Sequence, residues 1–526
     1  MGNHHSQGGP HTEVPTAPHT ATTIVHSGSK KEKALSRTAS GTDIQDKFST
    51  QLLPIEKLAK ILLKRSQVED HVQGITAGAF SRYVFPRYPA LADKLFHHLH
   101  RQSGAKTEHL GCTAFRQQCE RFLGIMDDET VLNMYVKMYS EHDDGGDMMT
   151  TDSLRLLLLT AYRVAMDHYS EGPQMCLHIQ RTLTAVVDSC FHGKTRLSAQ
   201  FVAHWLQANC PRLILPLHRY AVHSLATAHR ALDADGAPLA QGIELVTPVL
   251  EQPPPFGTPA KSSSHLLPMS SAWLLAGALP PVYSRPRAAS MSPTNPGACL
   301  SGQMFLAKLV SAVPSHWIAL YNSDIHGQGA NRFLHHVLAY RGPTIVLLKA
   351  DCGSVFCIAS TLEWHETHLY WGGEDSAVLQ LCPKFHVIER GDKMLYLNTT
   401  IRGYPQGLRA GKDPRKPVII VDGGFEKIEY RNIPYTLTTI EVWGCGDFTQ
   451  RETQLDIKKW QVKEAERQRN VKLSASDWLD HPDRYLLELA GRPQYNNHGG
   501  STSTNSSHSH HPVSCSGTNN TTARHQ

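Results

Sequence analysis

Hydrophobic residues recur at helical spacing through the first half of the chain, from Leu52 onward. Apolar side chains return there every three or four positions with charged residues between them, which is typical of amphipathic helices. Beyond this first stretch the pattern predicts helices at 90–99, 112–123, 130–139, 153–167, 176–191, 198–207 and 219–232. Thr130 and Ser198 stand where N-caps are expected. We interpret residues 50–232 as one all-α domain.

The pattern changes after Leu300 to short apolar or β-branched runs separated by Gly, Asp, Asn and Pro. A short helix is predicted at 303–310, and the runs lie at 317–322, 344–350, 355–360, 377–382, 393–397, 418–422 and 440–443. This spacing predicts an antiparallel β-sandwich over residues 300–447. Charged helical patterns at 452–472 and 483–489 predict that residues 448–495 form flanking C-terminal helices.

Three segments lack both periodicities. Residues 1–49 and 496–526 are polar and rich in Ser, Thr and His, and we expect both to be disordered. Residues 233–299 are rich in Pro, Gly, Ala and Ser, which is typical of a linker, although 266–279 is apolar enough to form a short docked segment. The predicted fold class is therefore α+β. The linker leads us to expect that residues 300–490 fold independently of the helical half.

The composition argues against several classes of protein. The chain has 526 residues and a formal net charge of +5, and no dense basic stripe crosses the expected folded parts, so nucleic-acid binding is not expected. No apolar run reaches about 18 residues, the length of a membrane-spanning helix. The start of the chain lacks the apolar core of a secretory signal. The 11 cysteines include no C-x-x-C pair, which indicates a reduced, cytoplasmic protein.

The chain opens with Met-Gly-Asn-His-His-Ser, which matches the N-myristoylation pattern with Gly2 as the acceptor. One myristoyl chain gives only marginal membrane binding, on the order of 10⁴ M⁻¹, so a second signal is needed. A modest basic cluster that can meet anionic lipid is formed by Lys30, Lys31, Lys33 and Arg37. We therefore expect peripheral attachment to a membrane through the lipid and this cluster together.

One segment of the helical half has the outline of an EF-hand, an acid- and glycine-rich loop between two apolar helices. With Gly146 as the turn glycine, the loop spans residues 141–152 and offers Asp143 and Asp147 as ligands. The next register, residues 142–153, loses the turn glycine. Neither register places a glutamate at the last loop position, where calcium sites rely on a bidentate ligand. We predict a helix–loop–helix that binds no metal.

The chain shows none of the common catalytic motifs considered for a protein of this size. The chain has no G-x-x-x-x-G-K-[ST] loop, no G-x-S-x-G elbow and no G-x-G-x-x-G fingerprint. His365 and His368 are separated by two residues. The two histidines of the H-E-x-x-H zinc motif are separated by three residues, so this pair does not match it. We therefore expect no enzymatic activity, no catalytic residue and no cofactor.

The second half carries an ordered series of aromatic, glycine and acidic positions, which includes Trp317, Gly342, Phe356, Trp364, Gly372, Glu441, Trp443 and Gly444. They stand in the motifs WIALYNS, RGPTIVLL, VF, EW, GGE and EVWG. In this order and spacing, over about 145 residues, the segment resembles the TLDc domain. Two departures are Cys357, where members of the family usually have Gly after Phe, and the Val-Leu-Gln-Leu strand at 378–381.

Most of these landmarks have a structural interpretation. We expect the three tryptophans to fill the interior of the sandwich. We expect Gly327, Gly342, Gly372 and Gly444 to serve turns that need a positive φ. Glu441 lies inside a hydrophobic run, so its carboxylate is either on a solvated strand face or paired in a buried position.

The whole chain is most similar to the myristoylated branch of that family, which joins a lipid site, an EF-hand-like region and a TLDc domain. The resemblance implies association with lysosomal or other endomembranes, and mTOR pathway components or the vacuolar-type proton pump as partners. The charged helix resembles the terminal segment through which family members engage the pump. On it, the expected partner-binding residues are Lys458, Lys459 and Lys463.

Two functions follow from these observations. In the first, the protein is a non-enzymatic, membrane-anchored adaptor that acts in mTOR signalling or regulates the proton pump. In the second, implied by the wider family, the TLDc domain protects directly against oxidants. Thiol chemistry at Cys352 and Cys357 would carry that second function, whereas an adaptor should tolerate the loss of both thiols.

Overall fold

The computed structural model of the chain describes residues 54–143, 146–166, 178–233, 249–250, 266–284 and 316–469, together with residues 486 and 489. The leader at 1–49, the helix predicted at 303–310 and the tail at 496–526 lie outside the described residues. Most of the second C-terminal helix also lies outside them. The chain divides into two compact units, Met1–Gln450 and Arg451–Gln526.

The first half is built from helices, as the hydrophobic spacing predicts. They are α1 (Pro54–Glu69), α2 (Ala77–Val84), α3 (Pro89–Ser103), α4 (Cys112–Leu123), α5 (Asp128–Tyr139), α6 (Thr151–Ala165), α7 (Ile179–Phe191), α8 (Ala199–Asn209) and α9 (Leu215–Asp233). Only α2 was not predicted, because eight residues are too few for the helical period to show clearly.

N-caps place two of these helix starts. Ser198 is the N-cap of α8, and its hydroxyl accepts a hydrogen bond from the Phe201 N–H at 3.3 Å. The prediction for α5 was wrong, because Asp127 rather than Thr130 is its N-cap. The Asp127 carboxylate accepts from the Thr130 N–H at 2.8 Å, so the helix begins ahead of the expected position.

Short strands that the helical pattern did not predict join the helices in pairs. A hairpin of β1 (Glu141–Asp143) and β2 (Gly146–Thr150) separates α5 from α6, and β3 (Arg196–Ser198) pairs with β2 ahead of α8. An antiparallel bridge likewise joins Ile75, ahead of α2, to Leu110, ahead of α4. The first eight helices therefore form four helix–loop–helix units. The loops of the first two units pair with each other, and so do the loops of the last two.

Part of the expected linker is folded. Residues 266–284 contain α10 (Met269–Ala278) and a 3₁₀ turn (Pro281–Tyr283). Helix α10 is apolar on every side and packs against α6 and α7, where the Trp273 ring lies 5.4 Å from that of Tyr162. The expectation of a docked segment is confirmed.

The second half is a β-structure with flanking helices, so the fold class is α+β as predicted. Its strands are β5 (His316–Asn322), β6 (Thr344–Ala350), β7 (Val355–Ser360), β8 (Ala377–Cys382), β9 (His386–Arg390), β10 (Leu395–Asn398), β11 (Gly407–Ala410), β12 (Ile419–Val421), β13 (Lys427–Tyr430) and β14 (Ile433–Gly444). Helices α11 (Ser323–His326) and α12 (Ala330–Val337) follow β5, and α13 (Phe448–Arg469) follows β14. The predicted runs omitted β9, β11 and β13, which are four or five residues long and each include at least one charged residue.

The strand order is β10-β11-β12-β13-β14-β6-β7-β8-β9, with β5 paired to the far side of β14. Neighbours along this path are antiparallel, whereas a two-residue strand, β4 (Val249–Leu250), lies parallel to β5. The first part of β14 pairs with β13 and its last part with β6, so this strand continues from one layer of the sandwich into the other. Apolar side chains of β10–β13 and β6–β8 fill the space between the layers.

The central strands are buried on both faces. In β6, Val346 and Leu348 face the second layer of the sandwich, whereas Ile345 and Leu347 pack with residues of the helical half. This double burial explains why β6 and β7 read as continuous apolar runs rather than as alternating ones. One hydrophobic core therefore spans the helices and one face of the sheet.

Polar contacts also join the helices to the sheet. The Arg390 guanidinium on β9 donates to the carbonyl oxygens of Asn209 at 3.3 Å and Ala278 at 2.9 Å. The Phe385 N–H donates to the Ala185 carbonyl on α7 at 3.0 Å. Because these contacts and the shared core lie within one compact unit, the structure argues against independent folding of residues 300–490.

Candidate interaction surface

The three tryptophan landmarks are in the interior. Trp317, Trp364 and Trp443 are at most 1% exposed. The Trp317 indole N–H donates to the Tyr283 carbonyl at 2.7 Å and so ties β5 to the docked segment 266–284. The Trp364 indole donates to the Thr344 hydroxyl at 2.7 Å between the layers of the sandwich. These residues maintain the fold and offer no surface to a partner.

Glu441 is buried, which decides between the two alternatives left by the sequence. It is 1% exposed and points to the helical side of β14. Its Oε1 accepts hydrogen bonds from the Leu266 N–H at 2.7 Å and from Asn322 Nδ2 at 2.9 Å. Its Oε2 accepts from the Trp443 indole N–H at 3.1 Å. The carboxylate therefore fastens the start of the docked segment to the sheet.

The glycine landmarks fall into two groups. Gly327 and Gly372 have positive φ angles, 83° and 127°, as expected. The same expectation was wrong for Gly342 and Gly444, neither of which adopts a left-handed φ. These two are needed for close packing, because a Cβ at Gly444 would lie 2.5 Å from Cζ of the buried Tyr340 ring and one at Gly342 would lie 2.9 Å from its Cε1.

The thiols considered for redox chemistry have unequal environments. Phe356 and Cys357 point to opposite faces of β7, and Phe356 packs its ring 4.7 Å from that of Tyr430. Cys357 is fully buried, and this burial raises the pKa of its thiol, so it carries almost no thiolate at neutral pH. Cys352 is exposed, and its thiol donates to the Ser354 hydroxyl at 3.2 Å.

The EF-hand-like loop forms a hairpin. Asp143 pairs with Gly146 across β1 and β2, and the Asp147 carboxylate lies 3.0 Å from His142 Nδ1. Asp152, the last residue of the predicted loop, belongs to the first turn of α6. Across the part of the chain that the structure describes, no group of three His, Cys, Asp or Glu residues is placed to hold a metal ion.

A second loop of this kind was missed. His192 and Gly193 adopt left-handed φ angles of 50° and 82° after α7, and β3 then leads into α8. The sequence does indicate this loop, because His192-Gly193 separates two helical patterns and Ser198 caps the second helix. The loop contains no carboxylate between Phe191 and Ser198, so it lacks the acidic ligands by which an EF-hand loop is recognised in a sequence.

Helix α13 carries the predicted partner-binding residues, and the charged helix predicted at 452–472 is observed as far as Arg469. Lys459 and Lys463 are exposed, with Lys459 Nζ 3.2 Å from an Asp456 carboxylate oxygen. Partial burial lowers the pKa of Lys458 to about 8, and the charge of Arg451 contributes in the same direction.

Helix α13 also carries exposed apolar side chains, which the prediction from its charged residues did not include. Leu455, Trp460 and Val462 are 41%, 64% and 56% exposed. Leu455 and Val462 are two turns apart on one face, and Lys459 lies between them. An exposed face that combines apolar and cationic groups in this way is typical of protein interfaces, in which buried aromatic residues act as anchors.

The expected membrane anchor, formed by Gly2, Lys30, Lys31, Lys33 and Arg37, lies outside the described residues. Among the helices that are described, none combines the length and hydrophobicity required to cross a bilayer.

Comparison with known proteins identifies the domain in the second half. The family model described as the TLDc domain matches residues 299–459. The chain is 26% identical over 175 residues to the MTOR-associated protein MEAK7 of Danio rerio, and 24% identical over 153 residues to the protein of that name from Xenopus laevis. It is also 36% identical over 89 residues to restriction of telomere capping protein 5 of Kluyveromyces lactis.

These similarities cover only parts of the chains. The zebrafish match spans 30% of this chain and 39% of its relative, and the Xenopus match spans 26% and 33%. The yeast match spans 16% and 14%. The alignments therefore characterise a domain, while the activity of the whole protein has to be argued from its own residues.

Proposed function

Because this chain contains a TLDc domain at residues 299–459, we propose that it is a non-enzymatic regulator linked to mTOR signalling that binds its protein partner through α13. Two relatives are named as mTOR-associated proteins, which supports the signalling assignment. The side chains of the tryptophan landmarks, Phe356 and Glu441 are buried, so partner recognition has to use other residues.

The observation that carries the proposal is the exposure of apolar side chains on α13, with Trp460 on a different side of the helix from Leu455 and Val462. Leu455, Trp460 and Val462 present apolar surface to solvent beside Lys459 and Lys463. Trp460 is the expected anchor, since a large aromatic side chain contributes most to binding when a partner covers it. The lysines give the surface a positive charge, which favours an acidic patch on the partner and speeds association.

Affinity purification of the tagged full-length chain from cells tests this proposal. We expect Trp460→Ala, and separately the pair Lys459→Glu and Lys463→Glu, to reduce partner capture by about tenfold or more. A matched control reverses two exposed lysines of the helical half, Lys64→Glu and Lys194→Glu, and should retain capture. If both α13 variants capture the partner as well as the control does, α13 is only a solvated helix.

The proposal also includes peripheral anchoring to a lysosomal or other endomembrane. Its basis is the N-terminal myristoylation pattern at Gly2 and the basic cluster downstream. We expect Gly2→Ala to move the protein from the membrane fraction to the cytosol, and high salt to weaken attachment of the wild type by screening the cluster. Sedimentation of Gly2→Ala with membranes, as for the wild type, would refute lipid anchoring.

The candidate partners are mTOR pathway components and the vacuolar-type proton pump. Quantitative mass spectrometry on the captured material distinguishes them. Only the true partner should decrease in the Trp460→Ala sample and remain unchanged in the control sample with Lys64→Glu and Lys194→Glu.

Direct protection against oxidants has weaker support. Cys357 is buried with a raised pKa, so it is a poor nucleophile. Exposed Cys352 is the remaining test of that function. We expect Cys352→Ser to leave the resistance of cells to peroxide unchanged.

A further inference from the structure

A cavity of about 600 Å³ lies between α3, α4, α5 and the β1–β2 hairpin. Its apolar wall is formed by Leu99, Phe122, Ile125 and Met134, which come from three helices and the α4–α5 connection. This volume is within the range of cavities that bind ligands, roughly 300–1,000 Å³. The cavity belongs to the helical half, far along the sequence from the TLDc landmarks.

The rim of this cavity is cationic. Arg101 on α3, Arg121 on α4 and Lys137 on α5 all line it, and all three are exposed. Within the ranges that the structure describes, none of the three is in an ion pair. The carboxylate in the lining is that of Asp147, and it is paired with His142.

A second cavity of about 470 Å³ lies on the other side of α5, against α8. Asn133 lines both cavities, so they adjoin across α5. Phe201 lines the second cavity with its side chain 44% exposed. The second cavity is lined mainly by polar side chains and includes the Glu129 carboxylate, so we take only the first cavity, which we call the α5 groove, as a candidate binding site.

We propose that the α5 groove binds an acidic amphipathic helix of a partner protein. An amphipathic helix places apolar side chains at i, i+3 or i+4, and i+7 on one face, which suits the apolar wall of the first cavity. Three exposed cations from three separate helices are complementary in charge to several carboxylates along such a peptide. The proposal is independent of α13, so it can fail while the proposed function stands.

Fluorescence anisotropy with a synthetic peptide tests the inference. The probe is a labelled helical peptide of about 18 residues, or five turns, with leucine at i, i+4 and i+7 and glutamate at the flanking positions. The control peptide keeps the leucines and carries lysine in place of glutamate. We expect the full-length chain to bind the acidic peptide, less tightly at high salt, and to bind the basic peptide at least about tenfold more weakly.

Variants then locate the binding site. Reversal of Arg121→Glu and Lys137→Glu should weaken binding of the acidic peptide by about tenfold or more, whereas Lys64→Glu and Lys194→Glu should have little effect. Asn133→Trp places a large side chain in the lining of the α5 groove without a change of charge and should also weaken binding. Thermal melting of each variant verifies that it is folded.

Three outcomes would overturn the proposal: equal binding of the two peptides, equal loss in the control variant, or unaltered binding by both groove variants. A fourth comes from vesicles containing phosphatidylserine. If Arg121→Glu and Lys137→Glu abolish binding of the non-myristoylated chain to such vesicles and leave peptide binding intact, the cationic rim is a membrane surface.

Discussion

The helical half and the sandwich differ in where they place the residues that attract attention. The sandwich carries the recognisable landmarks and encloses them, so that Trp317, Trp364 and Trp443 are almost inaccessible to solvent. The helical half has no comparable series of landmarks, yet it leaves the cationic rim of the α5 groove open. The residues that identify the domain therefore maintain its fold, and the surfaces fit for recognition lie elsewhere.

The two halves also bury different titratable groups. In the sandwich, Glu441 is buried with three hydrogen-bond donors around it. In the helical half, His218 is buried between the rings of Phe122 and Tyr135. Burial lowers the pKa of His218 to about 4, so its imidazole is neutral in the folded protein at neutral pH. Mutations at Glu441 and at His218 therefore remove buried groups of different chemistry from one shared unit.

The largest expected effect on stability comes from replacing a buried tryptophan, and an exposed tryptophan provides the comparison. We expect Trp443→Ala to lower the free energy of unfolding by about 3–5 kcal/mol, because it leaves a cavity under β14 and removes a donor from Glu441. Trp460→Ala, at a 64% exposed position, should change it by less than about 0.5 kcal/mol. Urea denaturation of the full chain measures both. Equal losses would contradict the assignment of Trp443 to the core.

The next effect is the pH dependence of the helical half. The pKa of His218 is lower in the folded state than the unfolded value of about 6.5, so unfolding takes up a proton below that pH. The associated stability is present above pH ~6.5 and is lost as the pH falls toward about 4. The total is roughly 3 kcal/mol for this difference in pKa. Unfolding curves across this window should be less steeply dependent on pH for His218→Gln than for the wild type.

A smaller effect separates a buried from an exposed carboxylate. Glu441→Gln keeps the shape but offers one carbonyl oxygen where three donors converge, so we expect a loss of about 1–3 kcal/mol. Glu363→Gln is the control, because the Glu363 carboxylate is 41% exposed and lies 3.4 Å from Arg341 at the surface. Its loss should stay below about 1 kcal/mol. Similar thermal shifts in both variants would argue against the role of Glu441 as a fastener.

The smallest effect concerns the packing of Gly444. We expect Gly444→Ala to cost about 1–2 kcal/mol, because the added Cβ meets the buried Tyr340 ring. Gly111→Ala provides the comparison, since Gly111 has open space around its Cα and an ordinary φ of −66°. That change should cost less than about 1 kcal/mol, because alanine is a poorer N-cap than glycine but meets no neighbouring atom here. The two values, measured by chemical denaturation, distinguish close packing from a general sensitivity of glycine positions.

Local features of the sequence predicted most of the elements. The strands at 344–350, 355–360 and 377–382 have the predicted bounds, and α4 has them as well. These elements were predictable because hydrophobic spacing, turn residues and caps act within a few neighbouring residues. Some elements of three to five residues, such as β1 and β3, were missed because so short a stretch shows no clear period.

The sequence by itself determined the fold class, the TLDc resemblance and the candidate lysines of α13. Only the tertiary structure decided that Glu441 is buried, because its donor at Leu266 is 175 residues away and no local pattern links the two. It likewise decided that Gly342 and Gly444 make room for Tyr340, and that α5 borders an open cationic groove. Contacts between distant segments depend on how whole faces pack, and periodicity identifies an apolar face without specifying what covers it.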